Sequence, residues 1–204
     1  MIKNRRAFIV GIKSTTLSKK EKKFLKKYKP WGVILFSRNV KEFKQIKKLI
    51  SDIKLIFKDK KYPILIDQEG GRVNRLNKLI ESSIFTAEYF GNLYKKNKYK
   101  FYNYYKIYIN QISYLLKELG ININTVPVLD VKSSKSSNII GDRSYSSIPK
   151  NVSKIGDFCI EEFKKSGVAT VIKHIPGHGL AKVDSHKKTP IVKYKSKYLF
   201  KNDF

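Results

Sequence analysis

The sequence is poor in cysteine, histidine and acidic side chains, and it has no long apolar run. One cysteine, Cys159, excludes an internal disulfide framework and fits a reducing compartment. Its neighbours at helical spacing, Ile155 and Phe163, suit a packed thiol better than a nucleophile. The longest apolar runs are too short to cross a membrane, and Ala7 to Ile12, behind the basic Met1 to Arg6, is too short for a signal-peptide core. A cytoplasmic location and no membrane partner are therefore expected. No Gly-x-Gly-x-x-Gly turn recommends a doubly wound dinucleotide fold.

Acidic residues number 16 against 44 lysines and arginines, a formal net charge of +28. Lysine surfaces gain affinity for phosphates by releasing counterions, so a basic nucleic-acid-associated protein is an alternative of a different class. The lysines are spread over almost every expected helix, with no single stripe and no recognised binding module. Such usage, with abundant Ile, Asn and Tyr, reads as compositional drift, and no specific nucleic-acid partner is expected.

What is present is an alternation. Ala7 to Ile12, Gly32 to Phe36, Pro63 to Ile66, a segment within Ile121 to Val131, and Val168 to Ile172 read as buried strands. Between them lie helix patterns. Ser18 and Glu21 form a capping box before a lysine-rich helix to Tyr28, which Pro30 stops. Phe43, Ile46, Leu49, Ile50, Ile53 and Phe57 mark one helix face, and Phe101 to Leu119 marks a long one ended by Gly120. Its tyrosine stripe is expected in the core. Val152, Ile155, Cys159 and Phe163 mark another. With 41% hydrophobic residues in 204, a single domain with a sizeable core is expected.

Polar clusters recur where these strands end. Ser37, Arg38 and Asn39 follow the second strand, and Asp67 to Arg75, with two carboxylates, two arginines and the double glycine Gly70-Gly71, follows the third. Charged groups around a tight turn suit a polyhydroxylated ligand, although strand-end ion pairs also occur without ligands. Arg143 comes after the fourth strand. Lys173, His174, His178, Asp184 and His186 follow the fifth, so all three histidines lie within fourteen positions. Asp184 and His186, two apart, would point the same way in an extended segment, a carboxylate orienting an imidazole for acid/base work. A metal site and an ordinary polar loop are the competing readings, and the spacing matches no metal-ligand pattern. Clusters after several strands favour a (β/α)8 barrel, in which catalytic groups gather at one face.

Four stretches, in order, resemble glycoside hydrolase family 3: GVILFSRN at 32–39, IDQEGGRVNR at 66–75, PVLDV at 127–131 with IGDRSY at 140–145, and KHIPGHG at 173–179 with DSH at 184–186. They are most similar to its single-domain bacterial β-N-acetylhexosaminidases of peptidoglycan recycling. The resemblance implies an α/β TIM barrel that removes terminal N-acetylglucosamine from an N-acetylglucosaminyl-anhydromuropeptide by a retaining mechanism, without metal or cofactor, as a monomer at full length. It places the acid/base on His186, its orienting partner on Asp184, and sugar contacts on Asp67, Arg75, Arg143, Lys173 and His174. The family's nucleophilic aspartate belongs to a later strand-end loop and has no counterpart in residues 1–204; Asp203 sits in a tail resembling the stretch before a sixth strand. Residues 1–204 thus read as one barrel domain truncated at its C-terminus, about the first five βα units, with an exposed apolar strand edge. The 204-residue chain alone is expected to hydrolyse substrate negligibly and to dissolve poorly. An inactive truncated remnant is the alternative within the family.

Overall fold

The computed structural model describes residues 4–133, 139–181, 183 and 188–202. In chain order the elements are β1 (Arg6–Gly11), α1 (Lys19–Tyr28), β2 (Pro30–Leu35), α2 (Phe43–Phe57), β3 (Ile64–Ile66), β4 (Gln68–Gly70), β5 (Val73–Asn74), α3 (Ala87–Lys96), α4 (Lys98–Leu119), β6 (Ile123–Asn124), α5 (Pro149–Lys165), β7 (Ala169–Thr170) and α6 (Ser196–Asn202). Single 3-10 turns lie at Ser37–Asn39 and Gly141–Arg143.

Five strands form one parallel sheet in the order β1-β2-β3-β6-β7. Val10 pairs with Val33, Ile34 with Leu65, Ile66 with Asn124, and Ile123 with Ala169. Spatial order follows chain order without the reversal that defines a doubly wound sheet. This is an arc of a TIM-barrel-type α/β fold, as the alternation predicts.

Local chemistry explains the framing elements. Ser18 accepts from the backbone of Glu21 while Glu21 reaches back to Ser18, and α1 starts there. It ends with Lys29 left-handed, and Pro30 opens β2 directly. Helix α2 buries Ile46, Leu49, Ile50 and Ile53, and α4 buries Phe101, Tyr105, Ile109, Ile112, Leu116 and Leu119. These side chains share one core with Val33, Leu35, Ile64 and Ile66 of β2 and β3, which are fully enclosed. Cys159 lies in the same core. Among the described residues no helix is long and apolar enough to cross a membrane.

Several expectations need correction. The segment Val168 to Ile172 is strand only at Ala169–Thr170, and Val171 and Ile172 are 42% and 41% exposed. As expected of an incomplete barrel, β1 and β7 end the sheet, and neither has a further strand beside it among the described residues. The tyrosine stripe of α4 divides: Tyr105 is buried and Tyr104 is about half exposed. The fourth strand is just Ile123–Asn124, followed by an irregular stretch that touches the next strand end through the Val128–Lys173 bridge. The hairpin β4/β5 and helix α3 are additional elements.

Candidate functional site

The carboxyl ends of β3, β6 and β7 converge. Hairpin β4/β5 leaves β3 and is held by neutral side chains: Asn124 accepts from the Gln68 backbone N–H and donates to its carbonyl, both at 3.0 Å. Gln68, itself buried, donates to Asn74 at 2.9 Å and accepts from Leu76 N at 3.1 Å. Gly70 turns the hairpin with φ +93°, and a Cβ there would lie 2.3 Å from the Phe85 carbonyl oxygen. Only glycine fits this turn. Arg72, on the turn, donates to Asp142 at 2.8 Å and to the Ile139 and Ile140 carbonyls, drawing the Arg143 loop inward.

The hairpin thereby presents two carboxylates to cations from other strand ends. Glu69 accepts both arms of Arg143, Nε at 2.8 Å and Nη2 at 2.9 Å, and it meets Lys173 Nζ at 2.6 Å. Lys173 also donates to Asp67 at 3.0 Å, and Arg75 faces the other Asp67 oxygen at 3.5 Å. Thr125, after β6, donates its hydroxyl to Asp67 as well. Asp130 accepts from the backbone N–H of His178 and faces His174 Nδ1 at 2.6 Å.

Electrostatics follow from these contacts. Burial alone would raise the Asp67 carboxyl, but Lys173, Thr125 and Arg75 outweigh it and hold the group below the usual carboxylate range. Burial also opposes ionisation of Glu69 and Asp130, and Arg143 with Lys173, and His174 with the loop N–H groups, reverse that in turn. Burial would lower the Arg143 guanidinium, and Glu69 more than offsets this, raising it. All three carboxylates are therefore acceptors, unsuited to giving a proton at neutral pH. Alternating acceptors and fixed cations can grip hydroxyl groups, each donating to a carboxylate and accepting from Lys or Arg.

Of the residues expected at the site, Asp67, Arg75, Arg143 and Lys173 form one contact cluster through Asp67 and Glu69, and His174, next in the chain to Lys173, pairs with Asp130. Asp184 and His186 fall outside the described residues. Arg38 and Asn39 serve the fold, both donating to the Ile12 carbonyl at 2.9 Å. Sequence reasoning missed Thr125, concealed in an apolar run, and gave no role to Asp130; Glu69 was counted among the ligand-gripping carboxylates of 67–75, but its pairing with Arg143 and Lys173 was not foreseen.

The model for the glycosyl hydrolase family 3 N-terminal domain matches residues 6–204. The chain belongs to glycosyl hydrolase family 3. Among relatives, it is 34% identical over 186 residues to β-hexosaminidase A of Pseudoalteromonas piscicida, covering 87% of this chain and 30% of that protein. It is 34% identical over 186 residues to the β-hexosaminidase of Haemophilus ducreyi, covering 89% and 52%. The chain thus spans between about a third and about half of these relatives. Among solved family 3 structures, native NagZ from Neisseria gonorrhoeae superposes with a TM-score of 0.87 at 26% identity, covering 98% of this chain and 57% of that one. The same protein in complex with N-trifluoroacetyl-D-glucosamine gives 0.83 at 27%, covering 98% and 58%.

Proposed function

We propose that the chain carries the sugar-binding and acid/base part of a β-N-acetylhexosaminidase that releases terminal N-acetylglucosamine with retention of configuration. Asp67, Arg75, Arg143, Lys173 and His174 hold the sugar, and His186, oriented by Asp184, moves the proton. One observation carries this reading: charged side chains from three strand ends meet at one place, Lys173 bridging Asp67 and Glu69 while Arg143 clamps Glu69. The described carboxylates there are held ionised, so a proton donor has to come from elsewhere, and an imidazole near its working pH suits that task. The relatives named above are β-hexosaminidases, and one similar structure holds an N-acylglucosamine analogue.

The two-step route needs a nucleophilic carboxylate, which the family resemblance places on a later strand-end loop. In this reading His186 protonates the leaving oxygen as the glycosyl–carboxylate bond forms. It then takes a proton from the water that cleaves that bond. The substrate class is an N-acetylglucosaminyl anhydromuropeptide from wall turnover, processed in the cytoplasm by a monomer.

The test is p-nitrophenol release from p-nitrophenyl N-acetylglucosaminide by a polypeptide that also carries the nucleophile-bearing loop, with His186 and with His186→Ala, together with calorimetric binding of N-acetylglucosamine. Loss of the proton shuttle should slow turnover about 10²–10⁴-fold while binding survives. Unchanged turnover in the variant removes His186 from the mechanism. Failure to bind the sugar removes the reading altogether.

A further inference from the structure

The buried carboxylate of Asp130 has a task that the sugar-gripping cluster does not account for. Its side chain is 0% exposed, and both oxygens are committed to the loop after β7. Oδ1 accepts the His178 backbone N–H; Oδ2 meets His174 Nδ1 at 2.6 Å and the His174 backbone N–H at 3.3 Å. We propose that Asp130 is a positioning residue that sets the tautomer of His174, leaving Nε2 as the imidazole atom offered to the bound sugar.

An ionised carboxylate only accepts, so the 2.6 Å contact requires the His174 proton on Nδ1. Nε2 of the neutral ring then carries a lone pair, and it becomes a donor only when the ring is protonated. Asp130 is held ionised: burial works against the charge, while His174 and the two loop N–H groups outweigh it. His174 keeps 37% of its side chain exposed, and Nε2 hydrogen-bonds to none of the described residues. It can therefore accept a hydroxyl hydrogen from a ligand on the open face of the strand ends.

The carboxylate is not what holds the loop in place. Leu129 N donates to the Lys173 carbonyl at 2.7 Å, and Lys173 N donates to the Pro127 carbonyl at 3.2 Å. Gly179 lies so close to the neighbouring segment that a Cβ would sit 2.2 Å from the Val131 carbonyl oxygen. Backbone contacts fix the two strand ends together, so a change of one Asp130 oxygen to an amide nitrogen should leave the fold standing.

Asp130→Asn is therefore informative. Both sides of the carboxylate face a backbone N–H, but the His178 contact is much the shorter and the His174 N–H, at 3.3 Å, is weakly bound, so the amide oxygen stays on His178 and the NH2 group faces His174 Nδ1. A donor at that point forces Nδ1 to accept and moves the ring proton to Nε2. The inference rests on the sugar-site reading only for what Nε2 does, and the test separates the two. Long-range ¹⁵N–¹H correlation spectra of the neutral ring, assigned by the signal lost in His174→Gln, report the tautomer. Calorimetry with N-acetylglucosamine reports binding.

The expected result is an Nδ1-protonated ring in the native chain, an Nε2-protonated ring in Asp130→Asn with a cooperative thermal transition retained, and sugar affinity weakened about 10–100-fold by the mismatched hydrogen bond. A native ring protonated on Nε2, or a variant whose tautomer does not change, overturns the positioning role whatever the affinity. A tautomer switch in a chain that binds no N-acetylglucosamine leaves Asp130 as the positioning residue and overturns the sugar reading. Should Asp130→Asn unfold, the native spectrum decides by itself, since the role requires Nδ1–H there.

Discussion

Replacing Glu69 by Gln removes one negative charge at nearly constant shape from the middle of the strand-end cluster. The side chain is 8% exposed, and its partners Arg143 and Lys173 are 14% and 15% exposed, so water can solvate little of what is left behind. The change weakens the two-armed Arg143 contact at 2.8 and 2.9 Å and abolishes the 2.6 Å ion pair with Lys173. Breaking a buried pair by neutralising one partner costs about 3–5 kcal/mol, chiefly because the remaining charge is stranded. The lower end applies here, since Lys173 keeps Asp67 and Arg143 keeps the Ile139 carbonyl. About 3 kcal/mol in a chain of this length corresponds to a drop of about 6–12 °C in Tm. Urea titrations and thermal melts read this directly, with Asp52→Asn as control: its partner Lys48 is 76% exposed, and that change should stay within about 0.5 kcal/mol. Adding Arg143→Met to Glu69→Gln should recover part of the loss, because the stranded cation goes with it. A loss below about 1 kcal/mol for Glu69→Gln, similar to that of a surface pair, would refute the argument that the cluster is shielded from water.

Acid should destabilise the protein through the same groups. Asp67, Glu69 and Asp130 titrate below their ordinary values of 3.8, 4.5 and 3.8, so the unfolded chain binds more protons there. Their contribution is complete above those values and is lost as pH falls through the lowered native ones; Glu69→Gln should show a shallower acid slope in urea midpoints, and an equal slope would count against it. Gly70→Ala should cost about 2 kcal/mol or more by urea denaturation, since its φ of +93° and the Phe85 carbonyl both oppose a side chain. Burial pushes the Cys159 thiol up to about 12, so it should ignore Ellman's reagent in the native chain and react once urea unfolds it; rapid native reaction would contradict the packed-thiol reading.

The parts of the fold legible in the sequence are those written in short-range chemistry. Ser18 with Glu21, Pro30, the apolar spacing of α2 and α4, and Gly120 each act within a turn or two. Helix α3 was hidden because Thr86 starts it and Asn97 both ends it and caps α4, so two helices run together without a turn residue between them. The hairpin escaped notice because its strands are three and two residues long and are fixed by Gln68 and Asn124 across 56 positions. Site residue types were readable at strand ends, but their pairing was not. Glu69 finds Arg143 across 74 positions and Asp67 finds Lys173 across 106, separations that the parallel sheet brings to contact. Asp130, inside the stretch PVLDV, has no sequence signal that names its partners, and its role comes from the donors it faces.

The most direct test of the account is a crystal structure of the chain with N-acetylglucosamine bound. The account predicts sugar hydroxyls within hydrogen-bond distance of Asp67, Arg143, Lys173 and the Nε2 atom of His174. Sugar bound away from these strand ends, or bound there with His174 turned from it, would contradict it.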